Sequence, residues 1–398
     1  MSKKSIPFYS LLLSVCISLS SCQEQAILSE DSTDYFAMAV EILQDSVLQI
    51  AQGNLSEAPI TVTAASSPRS AGGLNDFYSE GDYWWPDSTN LDGPYIRRDG
   101  LTNPNNFTDH RKAVVRLSEI VGNLASAYLI TKEEKYAKAA IQHLEAWFVN
   151  DSTKMNPNLL YAQAIKGRHT GRGIGIIDGI HFMEVVQAIR VLEEHDQVDP
   201  AQLKIMKAWF ADFTTWLTTH PYGIDEMEHP NNHGTCWNMQ VGVYALFTQN
   251  DSILQFCRDN YKNRLLPNQM AEDGSFPLEL DRTKPYGYAL FNLDAMTMNC
   301  VILSDEENKL WEYTTTSGAN MQQGLKYMAP YVADKSTWPL EPDVMYWDNW
   351  PVAHPAFLFG GVYFEREDWI DLWKQNKHFL EVREVRRNVP IRNPLLWM

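Results

Sequence analysis

From His110 to Phe148 the chain reads HRKAVVRLSEIVGNLASAYLI and then TKEEKYAKAAIQHLEAWF. In the first half Val114, Leu117, Val121, Leu124 and Tyr128 recur at three- and four-residue spacing, which places them on one face of a helix. Thr131 is a capping residue type, and Glu133 and Glu134 follow where a helix start favours anions, so a second helix runs to Phe148. The same pattern predicts helices over 36–50, 177–194, 200–219, 235–248, 252–265, 288–303 and 320–328. Alternation of the strand kind is scarce until Leu380 to Arg386, which reads as extended. No fixed period of the solenoid kind appears. Antiparallel helical pairs joined by alternately short and long links predict an all-α chain, an incomplete (α/α) toroid with few or no strands. Residues 35–398 are expected to form it as one domain, with a plain helical array as the fallback.

Length and composition agree with a large buried core. The chain has 398 residues, 44% hydrophobic and 12% aromatic, which excludes disorder. A formal charge of −17 argues against general nucleic-acid binding, because phosphate contacts need a basic face. An anionic substrate then requires cations gathered locally.

The N-terminus carries Lys3 and Lys4, an apolar run from Ile6 to Leu19, and Ser20-Ser21-Cys22. This is the layout of a signal peptide. Leu19-Ser20-Ser21-Cys22 resembles a bacterial lipobox, which implies lipidation of Cys22 and a periplasmic or outer-membrane-associated lipoprotein; a plain secretory signal is the alternative. Residues 1–22 are assigned to the signal and 23–34 to a flexible leader. No later run approaches the roughly 20 apolar residues of a spanning helix. Cys236, Cys257 and Cys300 remain in the mature chain, too few for a disulfide scaffold.

Two stretches break the helical pattern. Residues 66–106, rich in Gly, Pro, Asn, Asp and aromatics, hold Gly81-Asp82-Tyr83-Trp84-Trp85-Pro86 and Pro94-Tyr95-Ile96-Arg97-Arg98-Asp99-Gly100. A loop this long implies a function. Tryptophans can stack on sugar rings and Arg97 and Arg98 can hold carboxylates, or the same residues pin the loop and pair internally. The second stretch is Asn156 to Ala164, including Gln163, followed by Lys166-Gly167-Arg168-His169-Thr170-Gly171-Arg172-Gly173. Its cations and free backbone N–H groups suit an anion, which makes Arg168, His169 and Arg172 candidate substrate contacts. Tight packing through glycine is the structural alternative. The spacing is neither a Walker loop nor a dinucleotide fingerprint.

The chemistry concentrates between Pro230 and Asn292. Pro230-Asn231-Asn232-His233-Gly234-Thr235-Cys236-Trp237 opens this segment, and Glu279-Leu280-Asp281-Arg282 with Tyr286 and Tyr288 lies near its end. A uronic acid in a polymer carries a carboxylate on C5 and its glycosidic oxygen on C4. Elimination requires removal of the weakly acidic C5 proton, so donors and a cation on the carboxylate must stabilise the enolate-like state. Asn232, His233 and Arg282 are suited to that, and Tyr288 to proton transfer if nearby cations lower its pKa from about 10. In mannuronate and glucuronate the C5 hydrogen and C4 oxygen share a side, so one tyrosine can be base and acid. Guluronate needs opposite faces, with His233 as base and Tyr288 as acid. Taken singly, Asn232 reads as a helix cap, Arg282 as a partner of Glu279 or Asp281, and Tyr288 as a core aromatic.

These segments resemble the alginate lyase family of helical-toroid polysaccharide lyases, and the likeness runs through nearly the whole mature chain. It implies that Tyr288, His233, Asn232 and Arg282 are catalytic, with Gln163, Arg97, Arg98, Arg168, His169, Arg172, Tyr286 and Trp237 as substrate contacts. It also implies an anionic polysaccharide substrate, β-elimination to unsaturated ends and no cofactor or metal. Gly234-Thr235-Cys236 after the Asn-His pair, and an Arg-to-Tyr spacing of six, resemble the branch acting on polyglucuronate as well as alginate. Tyr286 competes with Tyr288 for the catalytic role.

Rival constellations are weaker. His229 and His233 have a zinc-like spacing, but Pro230 interrupts any helix between them. Cys236 reads as a buried small residue. Glu226, Glu228, Glu279 and Asp281 offer a glycosidase carboxylate pair, the rival enzyme. A lipid-anchored glycan-binding protein without catalysis is the rival of another class.

Overall fold

The computed structural model describes residues 32–398, so the signal peptide, Cys22 and most of the leader lie outside the described residues. In chain order the helices are α1 (Ser32–Asn54), α2 (Asp109–Thr131), α3 (Glu134–Phe148), α4 (Phe182–Glu194), α5 (Pro200–Thr219), α6 (Pro221–Met227), α7 (Asn232–Phe247) and α8 (Asp251–Asn260). They continue as α9 (Leu266–Gln269), α10 (Pro277–Leu280), α11 (Pro285–Leu303), α12 (Met321–Ala333), α13 (Pro355–Tyr363), α14 (Glu367–Gln375) and α15 (Arg383–Arg387).

An inner arc runs α2, α4, α7, α11, α13, each helix packed on the next. Outer helices back it: α1 and α3 lie on α2, α5 and α8 on α7, α12 on α11 and α13, and α14 on α13. The C-terminal turn Pro394–Trp397 packs against α1, α2 and α4. This is the incomplete (α/α) toroid. Composition explains the inner place of α7, α11 and α13, since a helix without a distinct polar face must be enclosed. All of α7 is buried except His233 and Leu246, and all of α11 except Tyr288 and Val301. α2 alone among the described helices is long and apolar enough to cross a membrane, and 72% of that window is buried by its neighbours.

Polar groups between the central helices set their register. Thr235 of α7 and Asn292 of α11 both donate to the Gln269 carbonyl oxygen, at 2.9 and 3.0 Å. Asn238 donates to Asn299 at 2.8 Å and accepts from Asn260 at 2.9 Å. Such buried networks stabilise only when satisfied, which restricts α7 and α11 to one alignment.

Three local expectations need correction. The aromatic segment contains short strands: β1 (Tyr78–Glu80) and β2 (Trp84–Trp85), then β3 (Ile96–Arg97), with β4 (Tyr161–Ala164) further on. β1 pairs with β4 in parallel and β2 with β3 antiparallel, tying the aromatic segment to the Gly-rich one. Second, Leu380 to Arg386 is not a strand: it leads into α15, where Glu384 pairs with Arg387 one turn on. Third, Thr131 ends α2 instead of capping α3, its hydroxyl donating back to the Ala127 carbonyl. Packing also explains part of the Gly-rich loop, because a Cβ at Gly171 or Gly175 would strike the backbone of Leu160 or Ala162.

Candidate active site

The site forms where α7 and α11 begin, facing the aromatic segment. Asn231 occupies the N-cap position of α7, so Asn232 is the first helical residue instead of the cap. Its backbone N–H and side-chain amide each donate to one oxygen of the buried Glu279, both at 2.7 Å. His233 follows, its Nδ1 2.8 Å from the fully buried Glu226 at the end of α6. This contact fixes the ring through Nδ1 and leaves Nε2 for a substrate. Burial pushes Glu279 up in pKa, and Asn232, Arg282 and His233 oppose the shift. Glu279 thus joins the Asn-His motif to Arg282.

Arg282 does not pair with Asp281. Its guanidinium donates to Asp99, at 3.3 Å from Nε and 3.2 Å from Nη2, and Thr283 donates to the same carboxylate at 3.0 Å. Asp99 belongs to the aromatic segment, so this cluster closes the loop onto α11. The other side of Arg282 lies over Tyr288, 4.5 Å from the ring centre. Tyr288 sits in the first turn of α11, half-buried, with its hydroxyl 2.6 Å from that of Tyr83. Lys284, 5% exposed, lies 5.2 Å from both ring centres and 5.7 Å from Tyr346. Its ammonium donates to Glu384 at 3.3 Å.

The electrostatics correct one expectation. Burial drives the Tyr288 phenol well above its ordinary pKa, with Tyr83 adding to the rise; Arg282 opposes it without reversing it. Burial works against the charge of Lys284, but Tyr83 and Glu384 outweigh it and hold its pKa above the ordinary value. Tyr288 therefore carries its proton in the resting site, with two cations placed to receive negative charge.

The Gly-rich loop lines the opposite side. Gln163, in the left-handed region at φ 49°, donates to Asp178 at 3.1 Å and accepts from Arg172 at 3.0 Å. Such strain persists only where surrounding contacts hold it. Burial lowers the Arg172 guanidinium to about 10, against the pull of Asp178 and with Arg97 adding to the fall. Arg172 and Arg168 flank Trp84, 5.9 and 5.4 Å from its ring, and Arg98 lies 5.4 Å from Trp85. Arg97, exposed, donates to Asp99 at 2.5 Å, and His169 is exposed on the loop. Below them the buried Asp82 pairs with Arg111 and Arg387.

Two expected contacts are misplaced. Trp237 is fully buried, its indole donating to Leu217, so it belongs to the core. Tyr286 is buried against Trp338 and Trp347 and donates to the Tyr331 carbonyl at 2.9 Å. Two residues along a helix rotate the side chain by more than half a turn, so the two tyrosines cannot face the same side of α11. Tyr83, Lys284 and Asp99 are site members that sequence reasoning missed, and Glu226 and Glu279, offered there as a glycosidase pair, instead orient the imidazole and the amide. The phenol and lysine lie within the motifs themselves, and only tertiary contact gives them roles. Cys236 is fully buried, its thiol pushed well up by burial with Glu226 and Glu279 adding to the rise, which removes it as a nucleophile.

The helical toroid and the family match make this chain a polysaccharide lyase. The chain belongs to the alginate lyase family, whose model matches residues 61–338. Among solved structures, an alginate lyase from Bacteroides ovatus is 29% identical with a TM-score of 0.79, over 92% of this chain and 98% of that one. Alginate lyase A1-III from Sphingomonas species A1 shares the fold at 13% identity and a TM-score of 0.55, over 88% and 94% of the two chains. A variant of A1-III in complex with a tetrasaccharide also matches at 13% identity, with a TM-score of 0.57 over 86% and 88%. No curated protein sequence matches.

Proposed function

We propose that this lyase cleaves a uronate polymer, polymannuronate-type alginate or polyglucuronate, by syn β-elimination. Arg282, the second amide hydrogen of the buried Asn232, and His233, donating from Nε2 when each ring nitrogen carries a hydrogen, bind the C5 carboxylate and stabilise the enolate-like state; electrostatic stabilisation of this kind usually contributes most to the rate. Tyr288 gives its resting proton to solvent and then, as phenolate with its charge met by Arg282 and Lys284, removes the C5 proton. The C4–O bond breaks, a C4–C5 double bond forms, and the Tyr288 phenol returns the proton to the leaving O4. Tyr83 orients Tyr288 through the 2.6 Å hydroxyl contact. Gln163, Arg168, His169, Arg172, Arg97 and Arg98 hold neighbouring sugars, beside Trp84 and Trp85.

The observation carrying this reading is the Tyr83–Tyr288 pair between Arg282 and Lys284, connected through Glu279 to Asn232 and His233. The hydrolase reading loses its carboxylates. Glu226 and Glu279 are committed to orienting the imidazole and the amide, while Glu228 and Asp281 are exposed. A relative solved with a tetrasaccharide supports a saccharide ligand for the groove. We also place the enzyme at a bacterial envelope membrane, anchored by a lipid on Cys22; labelling with a fatty-acid analogue that Cys22→Ala abolishes tests this.

The decisive experiment presents polymannuronate, polyguluronate and polyglucuronate and follows the ultraviolet absorbance of the unsaturated product. Absorbance rising on mannuronate or glucuronate supports the proposal. Rising absorbance on guluronate alone moves the base to His233. Reducing ends without absorbance replace it with hydrolysis, and polymer retention without any product leaves a binding protein.

A further inference from the structure

Beside the candidate active site is a second pocket, of about 200 Å³, that the elimination chemistry does not use. Its lining includes Glu228, His229, Arg264, Asn268 and Gln269. His229 connects the two: its ring lies 5.1 Å from that of His233, and its Nδ1 meets Asn231 at 3.1 Å. Gln269 donates to the Asn231 carbonyl at 3.0 Å, so the pocket floor is joined to the start of α7.

Arg264 is the notable group. It is half-buried, yet its guanidinium has no hydrogen-bond or ion-pair partner among the described residues. The other half-buried arginines among the described residues have partners: carboxylates for Arg258, Arg282, Arg387 and Arg392 among others, and side-chain amide oxygens for Arg172 and Arg190. Arg264 is presented by the π turn Tyr261–Leu265, a rare helical form that recurs at functional sites. The Asn268 amide and Glu228 carboxylate, both exposed, are likewise uncommitted to protein partners.

We propose that this pocket is a subsite for one further uronate unit of the bound chain, its carboxylate held by Arg264 and its hydroxyls by Glu228, Asn268 and His229. The donor set matches a sugar acid: a guanidinium for the carboxylate, and a carboxylate and an amide for hydroxyl groups. A neutral sugar would leave Arg264 without a counter-charge. This rests on the uronate reading above and adds that binding energy is drawn from a sugar remote from the reacting bond.

Calorimetry with tetrasaccharides of mannuronate, guluronate and glucuronate tests it, using the Tyr288→Phe protein so that no ligand is consumed. Adding Arg264→Met is expected to weaken the best tetrasaccharide roughly tenfold or more, as a lost charge-assisted contact does. Adding Arg264→Lys recovers part of that loss. In the otherwise native enzyme, Arg264→Met raises KM for long chains while leaving kcat unchanged. Tetrasaccharide affinity insensitive to Arg264 overturns the subsite and leaves the lyase reading standing. Failure of every uronate tetrasaccharide to bind overturns the uronate reading itself, and the subsite with it.

Discussion

Lys284→Met tests the charge logic of the site where it is most sharply posed. The lysine is almost wholly buried, and its ammonium is equidistant, at 5.2 Å, from the Tyr83 and Tyr288 ring centres. At 5.2 Å and an effective dielectric of about 20, one such charge stabilises a phenolate by about 3 kcal/mol, or roughly two pKa units. Burial already holds the Tyr288 phenol well above its ordinary value, so removing a cation moves the acid limb of kcat further up in pH. The shift is expected to reach about two units, and below the limb turnover falls by up to about 100-fold. KM should change little, because Arg282 remains on the substrate side. Glu384 keeps its contact with Arg387 at 3.5 Å, so no lone buried carboxylate is created. Lys284→Arg should retain most of the native profile. The assay is initial rate by product absorbance from acid to alkaline pH, with thermal melts alongside. An unmoved acid limb in Lys284→Met, or an equal loss at every pH matched by a lowered Tm, refutes the argument.

The two tyrosines separate cleanly: Tyr288→Phe should abolish turnover while polymer binding persists, whereas Tyr286→Phe should keep activity within a few-fold. The latter loses only its bond to the Tyr331 carbonyl, about 1 kcal/mol by chemical denaturation. Asp82→Ala takes the nearest carboxylate from Arg111 and Arg387, leaving them Asp178 at 3.2 Å and Glu384 at 3.5 Å, and should cost about 3 kcal/mol in melts at neutral pH, the low end for a broken buried pair. Burial opposes ionisation of Asp82, but Arg111 and Arg387 outweigh it and hold its pKa low. Its stabilisation is therefore present above the unfolded value of about 3.9 and shrinks as pH falls toward its folded value. Asp343 has the opposite sign: burial raises its pKa to about 6, against the N–H groups of Gly287 and Tyr286. The folded state then binds the proton more tightly, so this contribution is full below about pH 3.9 and lost as pH rises through about 6. Asp343→Asn should flatten the Tm-versus-pH slope across that window; an unchanged slope removes Asp343 as its source.

Much of the fold was legible because helix periodicity is local. Val114 through Tyr128 and the start of α5 at Pro200 follow from spacing and capping alone. The enclosure of α7 and α11 agrees with their composition, since neither has a distinct polar face to turn to water. The motif residues Asn232, His233, Arg282 and Tyr288 stood out as chemistry-bearing types at helix starts. What they touch is another matter. Nothing local announces that Asp99 holds Arg282 across 183 positions, or that Tyr83 meets Tyr288 across 205. Trp237 and Tyr286 failed as groove residues for a related reason, since motif membership does not say which way a side chain turns from a helix enclosed on every side.

Alone, then, the order of residues determined the helical architecture, because backbone periodicity and capping act over a few neighbours. It also supplied the chemical inventory of the groove. Tertiary structure alone decided which phenol faces that groove, which carboxylates orient the amide and imidazole, and that Arg264 is left without a partner among the described residues. Those outcomes depend on through-space electrostatics and burial between segments far apart in the chain, which no short window contains.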